Sequence, residues 1–191
     1  MDISEKEIIQ ECQTGNLEKF SLIYDKYAKK IYQFIYYRVF YRETAEDLTS
    51  QTFFKALEKI NTFNFKKNGS VSAWLYCIAR NSVIDYTRVN KKEIPLEEAK
   101  EEKSFDRIEE KIDRAQKIKQ VENCLKILNY KQREIVIMRV WQEMSYQEIS
   151  QILGKSEASC KMVFSRGIGK IREHLGDLLL SLVLFVYFKR G

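Results

Sequence analysis

The chain has 191 residues, of which 45% are hydrophobic and 31% charged, with one proline and seven glycines. That balance excludes a disordered or collagen-like chain. It also leaves helix interiors rarely interrupted, so an all-α fold is expected. A formal charge of +6 and a pI near 9.0 permit nucleic acid or an anionic surface as partner without requiring either.

In chain order, Ser4 and Glu7 stand at the two positions of a capping box. They predict a short helix to about Gln13, ended by Gly15. A second helix starts near Asn16, where Phe20, Ile23, Tyr24, Tyr27, Ile31, Phe34 and Ile35 recur at helical spacing. A third runs from about Glu43 to Ile60, offering Ala45, Leu48, Phe53, Ala56 and Leu57 to a core. A polar loop from Asn61 to Gly69 carries two aromatics, Phe63 and Phe65. Ser70 then caps a fourth helix reaching roughly Lys91. Residues 92–104 are charged, contain Pro95 and lack a period, which reads as a linker between two small helical domains. The division is thus 1–91, the linker 92–104, a second domain at 105–176, and a tail at 177–191.

The helical pattern returns at Phe105 and continues through Ile108, Ile112, Ala115, Ile118, Val121, Leu125 and Leu128 until Asn129 breaks it. A helix from about Lys131 to Trp141 follows. Ser145 caps the next, with Glu148 at the capping-box position, and Gly154 suits the left-handed residue that ends it. Ser156 caps a last helix with Cys160, Val163, Phe164, Ile168, Ile171 and Leu175 inward. Lys161, Ser165, Arg166, Lys170 and Arg172 lie outward. This is helix-turn-helix geometry with a basic second helix, suited to a major groove. Helical hairpins unrelated to DNA share the pattern.

Charge is distributed in blocks. Lys66, Lys67, Arg80, Arg88, Lys91 and Lys92 face a single acid, Asp85, between Phe65 and Lys92. Nine acids against four bases follow from Glu93 to Asp113, and five bases against Glu157 occupy Lys155 to Arg172. Asn81, Asp85, Arg88 and Lys92 share one face of the fourth helix. With Phe63, Phe65, Trp74 and Tyr76 nearby, this combines charge for phosphates with ring faces for unstacked bases, as single-stranded nucleic acid requires. An amide such as Asn81 can read a base edge. The competing reading puts Trp74 in the core, makes Asp85 a local ion-pair partner, and has Phe63 and Phe65 close the hydrophobic end of the helices.

Four segments in order carry a resemblance. They are ETAEDLTSQTFFKAL from Glu43, WLYCIARNSVIDY from Trp74, REIVIMR from Arg133 and SYQEIS from Ser145. Together they resemble bacterial sigma factors of the sigma-70 family, and the two-domain length is similar to the extracytoplasmic-function (ECF) group. The resemblance covers about Leu17 to Lys91 and Val121 to Leu175. It implies that the first domain is region 2, with Asp47, Ser50, Gln51 and Phe54 docking on the clamp helices of RNA polymerase core. It implies that Phe63, Phe65, Lys66, Asn81, Arg88 and Lys91 capture and melt the -10 element. The second domain would be region 4, which would meet the polymerase flap. There Ser159, Lys161, Ser165, Arg166 and Lys170 would read the -35 element, and Arg139 would contact a phosphate. The acidic linker would thread through polymerase as a mimic of nucleic acid.

Departures from the family pattern are specific. Many members carry Gln where Ser50 stands, and Ser-Arg where Met162 and Val163 stand, so the recognition helix here lacks one base. Gly167 and Gly169 each cost on the order of 1 kcal/mol against Ala in a helix interior, which predicts a helix that frays early. The tail LLLSLVLFVYF, Leu178 to Phe188, has roughly half of the ~20 apolar residues that a spanning helix needs. A helix extension on region 4, a docking strip for an anti-sigma factor and a membrane-surface contact all fit it.

Cys12, Cys77, Cys124 and Cys160 lack a C-x-x-C spacing and His174 is the lone histidine, which argues against a zinc site. They read as small thiols in a reducing cytosol, and Met1 to Gln10 is too charged for a signal peptide. No P-loop or nucleophile–base pair is visible, so neither enzymatic activity, a cofactor nor a small-molecule substrate is expected. The expectation is a cytoplasmic transcription initiation factor, free or held at the membrane by an anti-sigma factor. The alternatives are a stand-alone helix-turn-helix regulator and an inactive sigma relative acting by protein interaction.

Overall fold

In the computed structural model, the described residues are 3–89 and 119–188, with side chains described through His174. Every regular element among them is helical. The linker expected at 92–104, the helical pattern resuming at Phe105, and Lys91 and Lys92 lie outside the described residues. The chain divides into two compact units, the first taking residues up to 94 together with Gln151–Gly154 and the second the remainder.

In the first unit, helix α1 spans Glu5–Gln13. Its capping box is formed: the Glu7 amide donates to Ser4 Oγ at 3.3 Å and the Ser4 amide donates to Glu7 Oε2 at 2.8 Å. The Ser4 amide, and with it the Ser4 hydroxyl donating to the same carboxylate oxygen at 2.9 Å, favours the charged form and lowers the Glu7 pKa. Gly15 follows with φ 107°, a left-handed backbone that glycine adopts without steric cost. The second helix expected near Asn16 starts with a 3-10 turn at Leu17–Lys19, and α2 proper spans Phe20–Val39. Helix α3 spans Arg42–Glu58 and ends in a 3-10 turn at Ile60–Thr62. The segment read as a plain loop contains a one-turn helix, α4, Phe65–Asn68. Helix α5 spans Val71–Val89, with the Ala73 amide donating to Ser70 Oγ at 3.0 Å.

Helices α2, α3 and α5 pack against one another, and α1 closes one side of α2. Ile23, Ile31, Phe34, Ile35, Ala45, Ala56, Val71, Leu75, Ala79 and Val83 are all buried between them. Each fully buried large aliphatic or aromatic chain contributes about 1.5–3 kcal/mol relative to exposure. Phe34 meets Tyr76 edge to face at 5.1 Å. Burial pushes the Tyr76 hydroxyl pKa far up.

In the second unit, α6 covers 119–126 and α7 spans Tyr130–Val136. Asn129 does break the pattern, by forming a capping box with Gln132. Arg133 ties the two helices by donating from Nε to Leu125 O at 2.9 Å and from a terminal nitrogen to Leu128 O at 3.2 Å. The expected single helix to Trp141 changes pitch, since Ile137–Trp141 is a π-helix. Helix α8 spans Tyr146–Leu153 and α9 spans Glu157–Phe188. Between them Gly154 adopts φ 61°.

The early fraying expected from Gly167 and Gly169 is not found. Helix α9 runs unbroken through both. Gly167 is buried against α7, where a Cβ would lie 3.1 Å from Val136 Cγ2 and 3.4 Å from Gln132 Cβ. The propensity cost at Gly167 is offset by close helix packing. Nothing lies within 4 Å of a Cβ placed at Gly169. The expected apolar tail continues α9 as helix to Phe188. Among the described residues, no helix is long and apolar enough to cross a membrane.

Candidate nucleic-acid interface

Helix α3 is two-faced. Ala45, Leu48, Thr49, Thr52, Phe53 and Ala56 are buried. Asp47, Ser50, Gln51 and Phe54, three or four residues apart, lie on the exposed face. Phe54 is 63% exposed, well above the other large hydrophobic side chains of the α2–α3–α5 bundle before Val89. A large aromatic beside a carboxylate and two neutral polar groups makes a compact, mixed surface. The adjacent Phe53 ring is turned inward, edge-on to Tyr24 at 4.8 Å.

The second surface joins α4 to α5. Asn64 caps α4, accepting from the Lys66 amide at 2.9 Å, and its own amide donates to Asn68 Oδ1 at 2.8 Å. This short closed turn exposes Lys66 and Lys67. Phe65 is half-buried and meets Phe63 edge to face at 4.8 Å. Phe63 corrects the base-stacking expectation for that ring. It is 5% exposed and packs 4.8 Å from Trp74, so it anchors the turn and leaves no open face for a base. Trp74 and Tyr76 are also buried, which takes them out of the stacking surface. Of the aromatics grouped there by sequence, Phe65 alone keeps appreciable exposure. Along α5, Asn81, Asp85 and Arg88 are exposed. Arg88 pairs with Asp85 at 3.5 Å, both well exposed. Such a surface pair is worth about 0–1 kcal/mol, so phosphate can displace it.

The third surface is the helix-turn-helix. The Glu148 amide donates to Ser145 Oγ at 3.2 Å and the Ser145 amide to Glu148 Oε2 at 2.8 Å, which starts α8. The Ser159 amide donates to Ser156 Oγ at 3.2 Å, which starts α9. Ile149 and Cys160 are fully buried, and Ile171 nearly so. These contacts set the rotation of α9, leaving Lys161, Ser165, Arg166, Lys170 and Arg172 exposed and Ser159 half-buried. Met162, at 49% exposure, stands among them.

Sequence reasoning missed Tyr146. The Arg139 guanidinium lies 5.1 Å from its ring centroid and the Lys161 ammonium 5.6 Å. The Phe164 ring meets it edge to face at 6.1 Å. Arg139 also donates from Nη1 to Met144 O at 2.7 Å. The ring therefore joins the π-helix, α8 and α9 through two cation–π contacts. Tyr146 sits inside the quoted SYQEIS segment, but its partners lie seven and fifteen residues away, beyond any local pattern.

Burial pushes all four thiols up, which disfavours the thiolate. Among the described residues, no cluster of His, Cys, Asp and Glu could hold a metal ion.

Comparison with known proteins places the two units. The model of Sigma-70 region 2 matches residues 23–93, and that of Sigma-70 region 4 matches residues 118–171. The ECF RNA polymerase sigma factor SigM of Bacillus subtilis is 30% identical over 151 residues, covering 78% of this chain and 91% of SigM. The chain belongs to the sigma-70 family, in its ECF group. The ECF sigma factor BldN of Streptomyces coelicolor is 32% identical over 178 residues, covering 90% of this chain and 66% of BldN, so the chain spans just under two thirds of that relative. YlaC of Bacillus subtilis is 29% identical over 80% of this chain and 90% of its own. The fold is shared with CnrH, solved in complex with the cytosolic domain of CnrY. The TM-score there is 0.69 at 20% identity, over 88% of this chain and 94% of that one. It is also shared with RpoE of Bartonella quintana, solved with the anti-sigma factor NepR, at TM-score 0.67 and 21% identity over 82% and 96%. This sigma factor thus carries both a region 2 and a region 4.

Proposed function

We propose that the chain is a dissociable initiation subunit that binds RNA polymerase core and directs it to promoters by reading a -35 element and melting a -10 element. Core docks on the exposed face of α3 through Asp47, Ser50, Gln51 and Phe54. The outward face of α9, with Lys161, Ser165, Arg166 and Lys170, enters the major groove at -35. Ser159 joins them at the -35 element, and Arg139 contacts a phosphate beside it. Phe65, Lys66, Asn81, Arg88 and Lys91 hold the unstacked non-template strand at -10. Extruding a base costs roughly a few kcal/mol, offset by stacking and hydrogen bonds. Residues 1–91 and 105–176 divide these tasks, and the acidic stretch 92–104 connects them.

The observation that carries the proposal is the exposed face of α3 in a chain that also holds a basic helix-turn-helix. A stand-alone DNA-binding regulator requires only the second feature. The structural neighbours solved with CnrY and NepR support a further partner, an anti-sigma protein that holds the factor inactive in the cytoplasm or at the membrane surface.

The test is Asp47→Arg. The residue is exposed and reversal of its charge leaves the core of the unit untouched. Co-purification with polymerase core should be lost while helix content and melting temperature stay unchanged. Normal co-purification would refute the docking assignment.

A further inference from the structure

The -10 turn is held from outside the segment that matches region 2. Gln13, the last residue of α1, lies ten residues before that match begins at residue 23. Its side-chain amide donates to Ile60 O at 2.9 Å and to Phe63 O at 3.0 Å, using both hydrogens of one NH2 group. Those carbonyls bracket the 3-10 turn, and Phe63 is the residue where the chain turns extended before Asn64 caps α4. The Phe63 amide donates back to Ile60 O at 3.1 Å. One side chain therefore fixes the entry to the turn that presents Phe65 and Lys66. On the other side, the Phe63 ring is wedged between Phe65 and Trp74. Helix α1 is itself fixed, because Glu5 accepts from Lys26 Nζ and from the Tyr27 hydroxyl, both at 2.6 Å. Ile8, Ile9 and Cys12 are buried along its inner face.

We infer that Gln13 is a positioning residue for -10 recognition, acting through the Ile60 and Phe63 carbonyls to pre-organise the Asn64–Asn68 turn before the strand arrives. The inference rests on the proposed reading of that turn as the strand-capturing element. A pre-set turn binds a single strand without an ordering cost at the moment of capture. Two amide–carbonyl bonds holding so short a segment can change the population of its binding-competent form by about tenfold.

The test uses the full chain assembled with core. Gln13→Leu keeps the size and helical preference of the side chain and removes both donors. Gln13→Glu also places an acceptor against two carbonyls. The probe is a fluorescent non-template single strand carrying the -10 element of a promoter mapped by run-off transcription, with a -35 duplex as control. Amide hydrogen exchange of the free protein is measured beside it. Both variants should bind the single strand about tenfold more weakly, bind core and -35 duplex normally, and exchange faster at residues 60–69 alone. Phe65→Ala and Lys66→Ala provide the reference for the turn itself. If they weaken single-strand binding and the Gln13 variants do not, the positioning role is overturned and the turn's reading survives. If none of the four weakens it, the turn's reading fails and takes the inference with it. Faster exchange across the whole first unit would make Gln13 a residue of the fold and overturn the proposal.

Discussion

Alanine placed at the two glycines of α9 separates helix propensity from packing. Both positions lie inside one helix, so Gly→Ala should add about 1 kcal/mol of propensity at each. At Gly169 the new methyl meets nothing within 4 Å, so the gain appears in full. At Gly167 it would lie 3.1 Å from Val136 Cγ2 and 3.4 Å from Gln132 Cβ. Val136 is 1% exposed and branched, and inserting a methyl into a well-packed core costs about 1–3 kcal/mol. The net change at Gly167 is therefore between about zero and 2 kcal/mol destabilising, and the two variants should differ by about 1–3 kcal/mol. Trp74 and Trp141 are the two tryptophans of the chain. In a Trp74→Phe background, Trp141 fluorescence reports urea unfolding of the second unit separately, which avoids treating two units as one transition. Gly169→Ala should move the midpoint up and Gly167→Ala leave it or lower it. Equal upward shifts would show that α9 does not approach α7 closely at Gly167, and the packing argument would be wrong.

Further outcomes follow from the same surfaces. Arg166→Ala should weaken duplex -35 binding by the holoenzyme and lower its salt slope by about one, the loss of one phosphate-neutralising charge; an unchanged slope would remove Arg166 from the interface. Tyr146→Leu removes the ring that positions Arg139 and Lys161 and should weaken -35 binding by at most about five- to thirty-fold, the limit set by two cation–π contacts of about 0.5–1 kcal/mol each. Tyr146→Phe keeps the ring and should bind like the parent, so equal losses in both would exclude the ring as the cause. The charge reversal at Asp47 should separate from all of these by abolishing core binding alone.

Much of the framework was legible because its signals are local. The capping boxes at Ser4 and Glu7 and at Ser145 and Glu148, and the left-handed glycines 15 and 154, depend on residues within a few positions. The outward set Lys161, Ser165, Arg166 and Lys170 follows from helical period and one buried stripe. What stayed hidden depends on distances across the fold. Phe63 reads equally as a stacking platform or a core ring, because aromatics beside lysines occur in both; its contact with Trp74 decides. Gly167 reads as a weak point until the separation from Val136 is known. The clamp from Gln13 spans 47 and 50 residues to its two acceptors, and no pattern in either segment announces it. The change of pitch at Ile137–Trp141 leaves the apolar pattern almost unaltered and is likewise invisible in sequence.

Run-off transcription with bacterial polymerase core, with and without this protein, on fragmented genomic DNA from its source tests the central claim most directly. Discrete transcripts that require the protein and share a common pair of -35 and -10 sequences upstream are the predicted result. Stable binding to core with no such transcripts would contradict it and make the chain a sequestering relative, while duplex binding without any affinity for core would make it a stand-alone helix-turn-helix regulator.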